Sequence, residues 1–367
     1  MVRLAGKKRA DGTIGRRALV RCLAAGTVGL LTACAPSNAA VIASGTGPVA
    51  PRRAPTSKPF GGPVEVHSWF DLPDDPRSRE LSGIAWDAAT SMLWAVQDES
   101  AHIVPLAPDH ELRTWRFGPA ITLATNFPLD LEGIVLVPGG FIVASEKGPR
   151  ILEVDRQGKL RRDIPLPAHF AKARQNKSLE SLSLSPGGRY LFTTTEESLT
   201  TDGARSTPAM GTRVRVLRMS RDGSEATEHA YRTDPLPHET GDYGVADLAA
   251  LSDDEVLVLE RGWSRGWGNT ARVYSVSLAD PATSCIASAE LTEETPVMAK
   301  RLVVDLATVS ARGLPATRQK QAAPILDNFE GMAIGPVLPD GRRSLVLVSD
   351  DNGRTDQFAR IVVLAVG

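Results

Sequence analysis

Short apolar segments separated by turn-forming residues run through the chain from about residue 64 to its end. Five of them share one pattern, in which an apolar residue is followed by an acidic residue or Ser and then by small and apolar residues. They begin at Leu81, Leu131, Leu179, Ala246 and Phe329. After each, a turn such as Pro138-Gly139-Gly140 leads into a second apolar segment with acidic residues at its end. Two apolar segments joined by such turns are typical of a β-hairpin.

The hairpins repeat roughly every 50 residues or more, and further apolar segments such as Arg150–Val154 and Ala271–Val276 follow them. Repeats of this kind, with up to four strands and almost no helical period, predict an all-β protein with the β-propeller fold. We count five blades, and the 83 residues between Asp247 and Glu330 leave room for a sixth. We expect the segment Val64–Phe70 to pair with the C-terminal strand and close the ring, which removes the exposed strand edges.

The N-terminal residues have the pattern of a bacterial export signal. Residues 1–33 combine seven basic residues with an uncharged run from Cys22 to Ala33, which is too short to span a bilayer as a helix. Within them, Gly15–Arg21 resembles a twin-arginine signal. An arginine pair that only adds to the basic region is the alternative.

The end of this signal resembles a lipobox. In Leu31-Thr32-Ala33-Cys34 the cysteine would become the lipidated first residue of a lipoprotein of the cell envelope, whether periplasmic or otherwise extracytoplasmic. Cleavage beside Ala33 without a lipid, giving a soluble secreted protein, is the alternative. Residues 34–62, rich in Ala, Pro, Ser and Gly, predict a flexible tether, so that the propeller domain comprises residues 63–367.

The near-neutral charge of the whole chain conceals an acidic domain. The 42 Lys and Arg almost balance the 43 Asp and Glu, yet residues 1–33 hold seven bases and one acid, so the remaining chain has a net charge of −7. This charge and the lack of a basic stripe exclude a protein that binds nucleic acid through bulk electrostatics. Three cysteines are too few for a disulfide framework.

The repeated acidic positions are expected to meet at one mouth of the propeller channel. The innermost strand of each blade lines the channel, and its antiparallel partner ends beside its start. One ring would then contain first-strand acids, with Ser82 in the remaining place: Glu132, Glu180, Asp247 and Glu330. A second ring would contain acids at the ends of the second strands: Asp98, Glu146, Glu196, Glu260 and Asp350.

Crowded carboxylates either raise one another's pKa or recruit cations. Oxygen ligands without clustered His or Cys fit Ca²⁺, and fit Mg²⁺ or Mn²⁺ less well. We therefore expect Glu132, Glu180, Asp247, Glu330 and Asp350 to be the metal ligands. A structural role is the alternative, because propellers often use one acidic side chain per blade to bind backbone N–H groups at blade junctions.

Basic residues follow the acids of the second strands, among them Lys147, Arg261 and Arg354. Acidic residues for a metal beside basic residues for an anion are the components of a phosphoester-hydrolysing site. Other motifs are weaker: Gly262-Trp263-Ser264-Arg265-Gly266 matches a nucleophile elbow, but the required helix does not follow it. The six histidines show no metal-ligand spacing.

Several phrases together resemble the phytase-like family, also described as having "esterase-like activity of phytase". They are Glu80–Trp86, Asp130–Glu146, Ser178–Pro186, Val245–Gly262 and Asn328–Asn352. The resemblance extends from about residue 65 to the end, and it implies an exported bacterial propeller that hydrolyses phosphate esters. The calcium-dependent β-propeller phytases are a more distant analogy for an acid-lined channel.

Two functions of different classes follow. The first is an exported hydrolase of small phosphoesters, assisted by calcium, in which Lys147, Arg261 and Arg354 stabilise charge on the phosphoryl oxygens. The second is a non-catalytic propeller of the cell envelope that binds a ligand or a protein with its acidic mouth. In both cases we expect a monomer whose only membrane contact is a lipid on Cys34.

Overall fold

The computed structural model describes residues 60–310 and 313–367. Its strands form five antiparallel sheets arranged as the blades of a β-propeller, which confirms the predicted fold. Four sheets have four strands and one has five, and these five blades account for every strand in the described part of the chain. The long segment between Asp247 and Glu330 therefore contains no sixth blade within its described residues.

The strands follow the chain from blade to blade. The first strand, β1 (Val64–Asp71), belongs to the last blade. Blade 1 contains β2 (Leu81–Asp87), β3 (Met92–Gln97), β4 (His102–Pro108), β5 (Trp115–Phe117) and β6 (Ile121–Thr122). Blade 2 contains β7 (Leu131–Val137), β8 (Gly140–Ser145), β9 (Arg150–Asp155) and β10 (Leu160–Ile164).

The remaining blades have the same up-and-down order. Blade 3 contains β11 (Ser183–Leu184), β12 (Tyr190–Thr193), β13 (Arg213–Ser220) and β14 (Ala226–Arg232). Blade 4 contains β15 (Gly241–Ala250), β16 (Glu255–Ser264), β17 (Gly268–Ser277) and β18 (Lys300–Asp305). Blade 5 contains β19 (Phe329–Val337), β20 (Arg343–Ser349) and β21 (Arg360–Val366), with β1 as its outer strand. Short 3₁₀ helices span Pro76–Ser78, Ala168–Lys172, Pro281–Thr283 and Leu306–Thr308.

The ring is closed by the two ends of the domain, as the sequence predicts. Strand β1 pairs antiparallel with β21, from Val64 opposite Val366 to Asp71 opposite Arg360. The last pair is also an ion pair, in which the fully buried Arg360 donates from Nε to Asp71 Oδ1 over 2.5 Å. The first strand of the domain thus completes the four-stranded sheet of the last blade.

The hydrophobic core lies between neighbouring blades. Leu93 and Val104 of blade 1 pack with Val346 and Val363 of blade 5, and all four side chains are fully buried. Such apolar interfaces between sheets supply most of the burial that stabilises a propeller and fix the blades around the channel.

The ordered domain includes a residue that the sequence places in the tether. Phe60 is 1% exposed, packs in the core with Leu364 and Val366, and carries the guanidinium of Arg343 over its ring. The predicted boundary at residue 63 therefore falls inside the packed region. The predicted export signal (1–33), Cys34 and the tether up to residue 59 lie outside the described residues. Among the described residues, no helix is long and apolar enough to cross a membrane.

Candidate functional site

A polar pocket of about 660 Å³ lies at one mouth of the channel, and all five blades contribute to its wall. Three basic residues line it: Lys177, Arg261 and Arg354. Nine acidic residues line it as well: Asp98, Glu99, Asp130, Glu132, Glu146, Glu180, Glu196, Glu330 and Asp350. Seven of the nine acids that the sequence assigns to the two rings are therefore brought together here. The two exceptions, Asp247 and Glu260, are both in blade 4.

The strand register explains why acids at repeated positions converge. At the mouth, Leu131 lies opposite Ser145 in blade 2, and Phe329 lies opposite Ser349 in blade 5. Glu146 follows Ser145 and Asp350 follows Ser349, and both acids line the pocket. Blades 1 and 3 repeat this arrangement, so the second ring consists of Asp98, Glu146, Glu196 and Asp350.

In blades 2 and 5 the first-strand acids are placed by β-bulges. In blade 2 the pairing passes from Leu131 directly to Gly133, which leaves Glu132 as the extra residue. A bulge redirects the side chain of its extra residue, here towards the channel. The following glycine is required for packing, because a Cβ on Gly133 would lie 2.5 Å from the backbone nitrogen of Leu182 in the next blade.

Blade 4 is displaced by one residue relative to the sequence interpretation. Val245, rather than Ala246, lies opposite Glu260 at the level of the mouth, so Asp247 occupies the place of Gly133. The structure thus places Asp247 between blades instead of in the pocket.

The partners of Asp247 are backbone groups. Its carboxylate accepts hydrogen bonds from the backbone N–H of Leu248 at 2.7 Å and from that of Met332, in blade 5, at 2.6 Å. The side chain is 1% exposed, and burial raises its pKa well above the usual range. This is the junction role that the sequence analysis left open as an alternative for the acids.

Glu260 lies one position too early to reach the pocket. Its fully buried carboxylate accepts hydrogen bonds from Tyr231, from Tyr243 at 2.9 Å and from Lys300 at 2.6 Å. Burial raises its pKa despite the neighbouring ammonium of Lys300. The position that holds an acid in the other blades is taken in blade 4 by Arg261, which lines the pocket.

Three carboxylates form the tightest acidic cluster in the described residues. One oxygen from each of Asp98, Asp130 and Glu132 lies within 4.8 Å of the other two. Asp98 Oδ1 is buried and has no hydrogen-bond partner among the described residues, while Ser82 donates to Glu132 Oε2 at 2.5 Å. Such an arrangement of converging oxygens is suited to a hard divalent cation.

Sequence reasoning missed Asp130, although a signal for it exists. Asp130 stands two residues before Glu132, and both side chains line the pocket. The same offset relates Asn328 to Glu330, and Asn328 also lines the pocket. Lys177 was missed as well because it lies outside the repeated motif.

Basic groups lie among the acids of blades 3 to 5. Arg261 donates to Glu330 at 2.9 Å, and its Nε has no hydrogen-bond partner in the described part of the chain. Lys177 donates to both oxygens of Glu196, at 2.9 and 2.7 Å. The pocket is therefore polarised in its basic residues: among the described residues, none of those in its wall lies on blades 1 and 2, which carry the acidic cluster, whereas Lys177 and Arg261 lie among the acids of blades 3 to 5.

The two other predicted basic residues lie nearer the surface. Lys147 is outside the pocket wall, and its Nζ lies 3.1 Å from Asp130 Oδ2. The hydrogen bond to Asp130 raises the pKa of Lys147. Arg354 is at the rim, where its exposed guanidinium pairs with Asp356 at 2.8 Å.

Burial dominates the protonation of the pocket acids. It raises the pKa of Glu132, Glu180 and Asp350 well above the usual range, with further upward contributions from neighbouring carboxylates. Burial also raises the pKa of Glu146 to about 7. For Glu196 the same effect of burial is outweighed by Lys177 and Arg261, which hold its pKa below the usual value. Positive charge is therefore favoured in this pocket, whether as protons or as a cation.

Fold and pocket together define a β-propeller with an acidic pocket at one mouth of its channel. The sequence model of the phytase-like family, described as "esterase-like activity of phytase", matches residues 76–353. The chain belongs to this family. The sequence has no match among curated proteins.

Solved structures similar to this chain have low sequence identity. An endo-arabinase from Bacteroides thetaiotaomicron is 12% identical over 79% of this chain and 94% of its own, with a TM-score of 0.44. The PQQ-bound aldose sugar dehydrogenase of Streptomyces coelicolor is 13% identical over 85% of this chain and 100% of its own, with a TM-score of 0.40. A protein from Lactobacillus plantarum is 15% identical over 74% of this chain and 64% of its own, with a TM-score of 0.35.

Proposed function

We propose that this protein hydrolyses phosphoric esters in the mouth pocket with the help of a divalent cation, most suitably Ca²⁺. The observation that carries the proposal is the polarised pocket, in which the cluster of Asp98, Asp130 and Glu132 shares one cavity with Lys177 and Arg261. Membership of the phytase-like family supports the same reaction class.

The acidic cluster fits a calcium ion by its chemistry. Its donors are carboxylate oxygens, and one of them, Asp98 Oδ1, is buried without a partner among the described residues. Asp98, Asp130 and Glu132 would hold the cation, and Glu180, Glu330 and Asp350 line the same pocket. When bound, the cation would neutralise phosphate charge and lower the pKa of a coordinated water molecule.

Lys177 and Arg261 would bind the anionic group. The buried Nε–H of Arg261 has no hydrogen-bond partner among the described residues, and a guanidinium matches the geometry of phosphate oxygens. On binding, the phosphate would accept hydrogen bonds from Arg261 and Lys177. Arg261 would keep its carboxylate partner Glu330, and Lys177 would keep Glu196. Arg354 at the rim would attract the anion, and Lys147 would hold Asp130 in position.

In the reaction, the oxygen of a water molecule attacks phosphorus and the bond from phosphorus to the alcohol oxygen breaks. The attacking water gives up a proton, and the departing oxygen takes one, so that the products are an alcohol and a phosphate. Negative charge on the phosphoryl oxygens is stabilised by Arg261 and Lys177, which are already ordered by their carboxylate partners.

The experiment is a turnover assay with a panel of phosphomonoesters and phosphodiesters after removal of metal by a chelator. We expect activity to vanish on chelation, to return with Ca²⁺, and to be lost in Asp130→Asn. Asp163→Asn is a matched control, because Asp163 lies on outer strand β10, where it pairs with Arg150. Equal activity before and after chelation would contradict the proposal. Saturable ligand binding without turnover would favour the non-catalytic alternative.

We further propose that the protein acts in the cell envelope, anchored by a lipid on Cys34. The basic segment, the short apolar run and the lipobox-like Leu31-Thr32-Ala33-Cys34 support this location.

A further inference from the structure

Blade 4 stands higher than the other blades at the mouth. Beyond the pair of Val245 and Glu260, its first two strands continue for four more residue pairs, up to Gly241 opposite Ser264. At about 3.3 Å per residue this adds roughly 13 Å of strand. The blade therefore forms a wall on one side of the pocket, which we call the blade 4 wall (residues 241–244, 261–264 and 268–271).

The inner side of this wall carries an exposed aromatic ring directly above a phosphate-binding candidate. Trp263 is 39% exposed, lines the pocket and lies two residues beyond Arg261 on β16, so both side chains project from the same face of the strand. The other residues that line this pocket are charged or carry amides. The exposed indole of Trp263 therefore offers a flat apolar surface in a polar pocket.

The residue beside Trp263 supplies unpaired polar groups. Asn269 lies opposite Trp263 in the ladder between β16 and β17 and also lines the pocket. It is 1% exposed, and neither its side-chain oxygen nor its side-chain nitrogen has a hydrogen-bond partner in the described residues. A buried amide left unpaired at both ends is costly, which favours a ligand that brings one donor and one acceptor.

We propose, on the basis of the function proposed above, that the blade 4 wall recognises a planar heteroaromatic ring, so that the preferred substrates are phosphoesters of nucleotide type. The ring would stack on Trp263 while Arg261 holds the phosphate. The edge of a nucleobase presents a donor and an acceptor side by side, which a carboxamide such as that of Asn269 pairs with in two hydrogen bonds. An open-chain alcohol has no flat face for the indole.

Stacking of a ring on Trp263 also requires a local side-chain movement, which tryptophan fluorescence can detect. Because the amide of Asn269 has almost no accessible surface, neighbouring side chains have to shift as the ring enters, and the fluorescence of Trp263 changes when the ring stacks on it. The other exposed tryptophan of this hairpin, Trp267, is stacked on His238 with ring centres 4.2 Å apart and does not line the pocket. Trp267 is therefore a matched control.

The test is calorimetric and fluorescence titration of the chain with adenosine 5′-monophosphate, glucose 6-phosphate and glycerol phosphate in the presence of Ca²⁺. We expect the nucleotide to bind at least about tenfold more tightly than glycerol phosphate, in line with the contribution of one stacked base. Trp263→Ala and Asn269→Leu should each reduce this preference, Trp263→Phe should retain part of it, and Trp267→Ala should leave it unchanged. Thermal unfolding of each variant shows that it is folded.

Equal binding of the three esters, or a preference for the sugar phosphate, would overturn this inference. The outcome is separate from that of the proposed function. Nucleotide binding that depends on Trp263 without any turnover would support the ring subsite and contradict the hydrolase. Turnover of all three esters that is unchanged in Trp263→Ala would support the hydrolase and contradict the ring subsite.

Discussion

Asp247 of blade 4 accepts a hydrogen bond of 2.6 Å from the backbone N–H of Met332 in blade 5. The contact joins two blades, and it uses an acid that the repeat pattern assigns to the channel mouth. One acidic position in the repeat is therefore structural, while the cluster of Asp98, Asp130 and Glu132 lies in an open pocket.

Replacing Asp247 should reduce stability and leave cation dependence intact. Asp247→Ala leaves two buried backbone N–H groups without an acceptor, so we expect a loss of about 1–3 kcal/mol in the free energy of unfolding. Denaturant unfolding with and without Ca²⁺ measures both quantities. If Asp247→Ala had the same free energy of unfolding as the unmodified protein without Ca²⁺ but gained no stability from added Ca²⁺, Asp247 would be a metal ligand after all.

Stability without a cation should fall as the pH rises. Burial raises the pKa of Glu146 to about 7 and that of Asp327 to about 6, so the folded state holds these protons more tightly than the unfolded state. Such groups stabilise the fold at low pH and lose that contribution as the pH rises through the folded pKa. In chelator, we expect the free energy of unfolding to fall by about 1–3 kcal/mol between pH 5 and pH 8.

Added Ca²⁺ should reverse much of this loss. A cation needs ionised carboxylates, so the rise in melting temperature on adding Ca²⁺ should be larger at pH 8 than at pH 5. An equal rise at both pH values would show that calcium acts elsewhere.

Arg261 should contribute to turnover more than any surface arginine. Arg261→Gln removes the positive charge and the guanidinium N–H groups that the proposal assigns to the phosphate, and we expect kcat/KM to fall by about 100-fold or more. Arg342→Gln is the control, since Arg342 pairs with Glu65 and Asp340 on the surface. A similar loss in both variants would exclude a specific role for Arg261.

Cys34 should decide whether the protein stays with the membrane. Cys34→Ala removes the thiol that a lipid would modify, so the protein should move from the membrane fraction to the soluble fraction of the envelope. Cys22→Ala, within the predicted signal, is the matched control. Unchanged fractionation of Cys34→Ala would contradict lipidation.

The fold was predictable because each blade repeats one hairpin with its own turn. The closure of the ring was predictable as well, since an unpaired strand, Val64–Phe70, precedes the first motif and the last blade lacks a fourth strand. The start of the packed region at Phe60 was not predictable, because a single aromatic residue in a Gly- and Pro-rich segment forms no repeating pattern of apolar residues.

The positions of the acids that line the pocket were predictable in four blades, and in blade 4 the predicted positions were wrong. Asp247 and Glu260 were chosen because they are acidic, whereas strand pairing sets Ala246 and Arg261 at the equivalent places. Register depends on where a bulge falls, and residue type alone does not reveal this. Asp130 was missed because the repeat comparison began at Leu131 and left out the polar residue before it, although Asn328 has the same offset from Glu330 in blade 5.

The central claim is that the mouth pocket holds a divalent cation through the cluster of Asp98, Asp130 and Glu132. Isothermal titration of Ca²⁺ into the metal-free protein at pH 8 tests it most directly. The account predicts saturable binding that is lost in Asp130→Asn and retained in Asp163→Asn. Absence of binding in the unmodified protein, or equal binding in both variants, would contradict it.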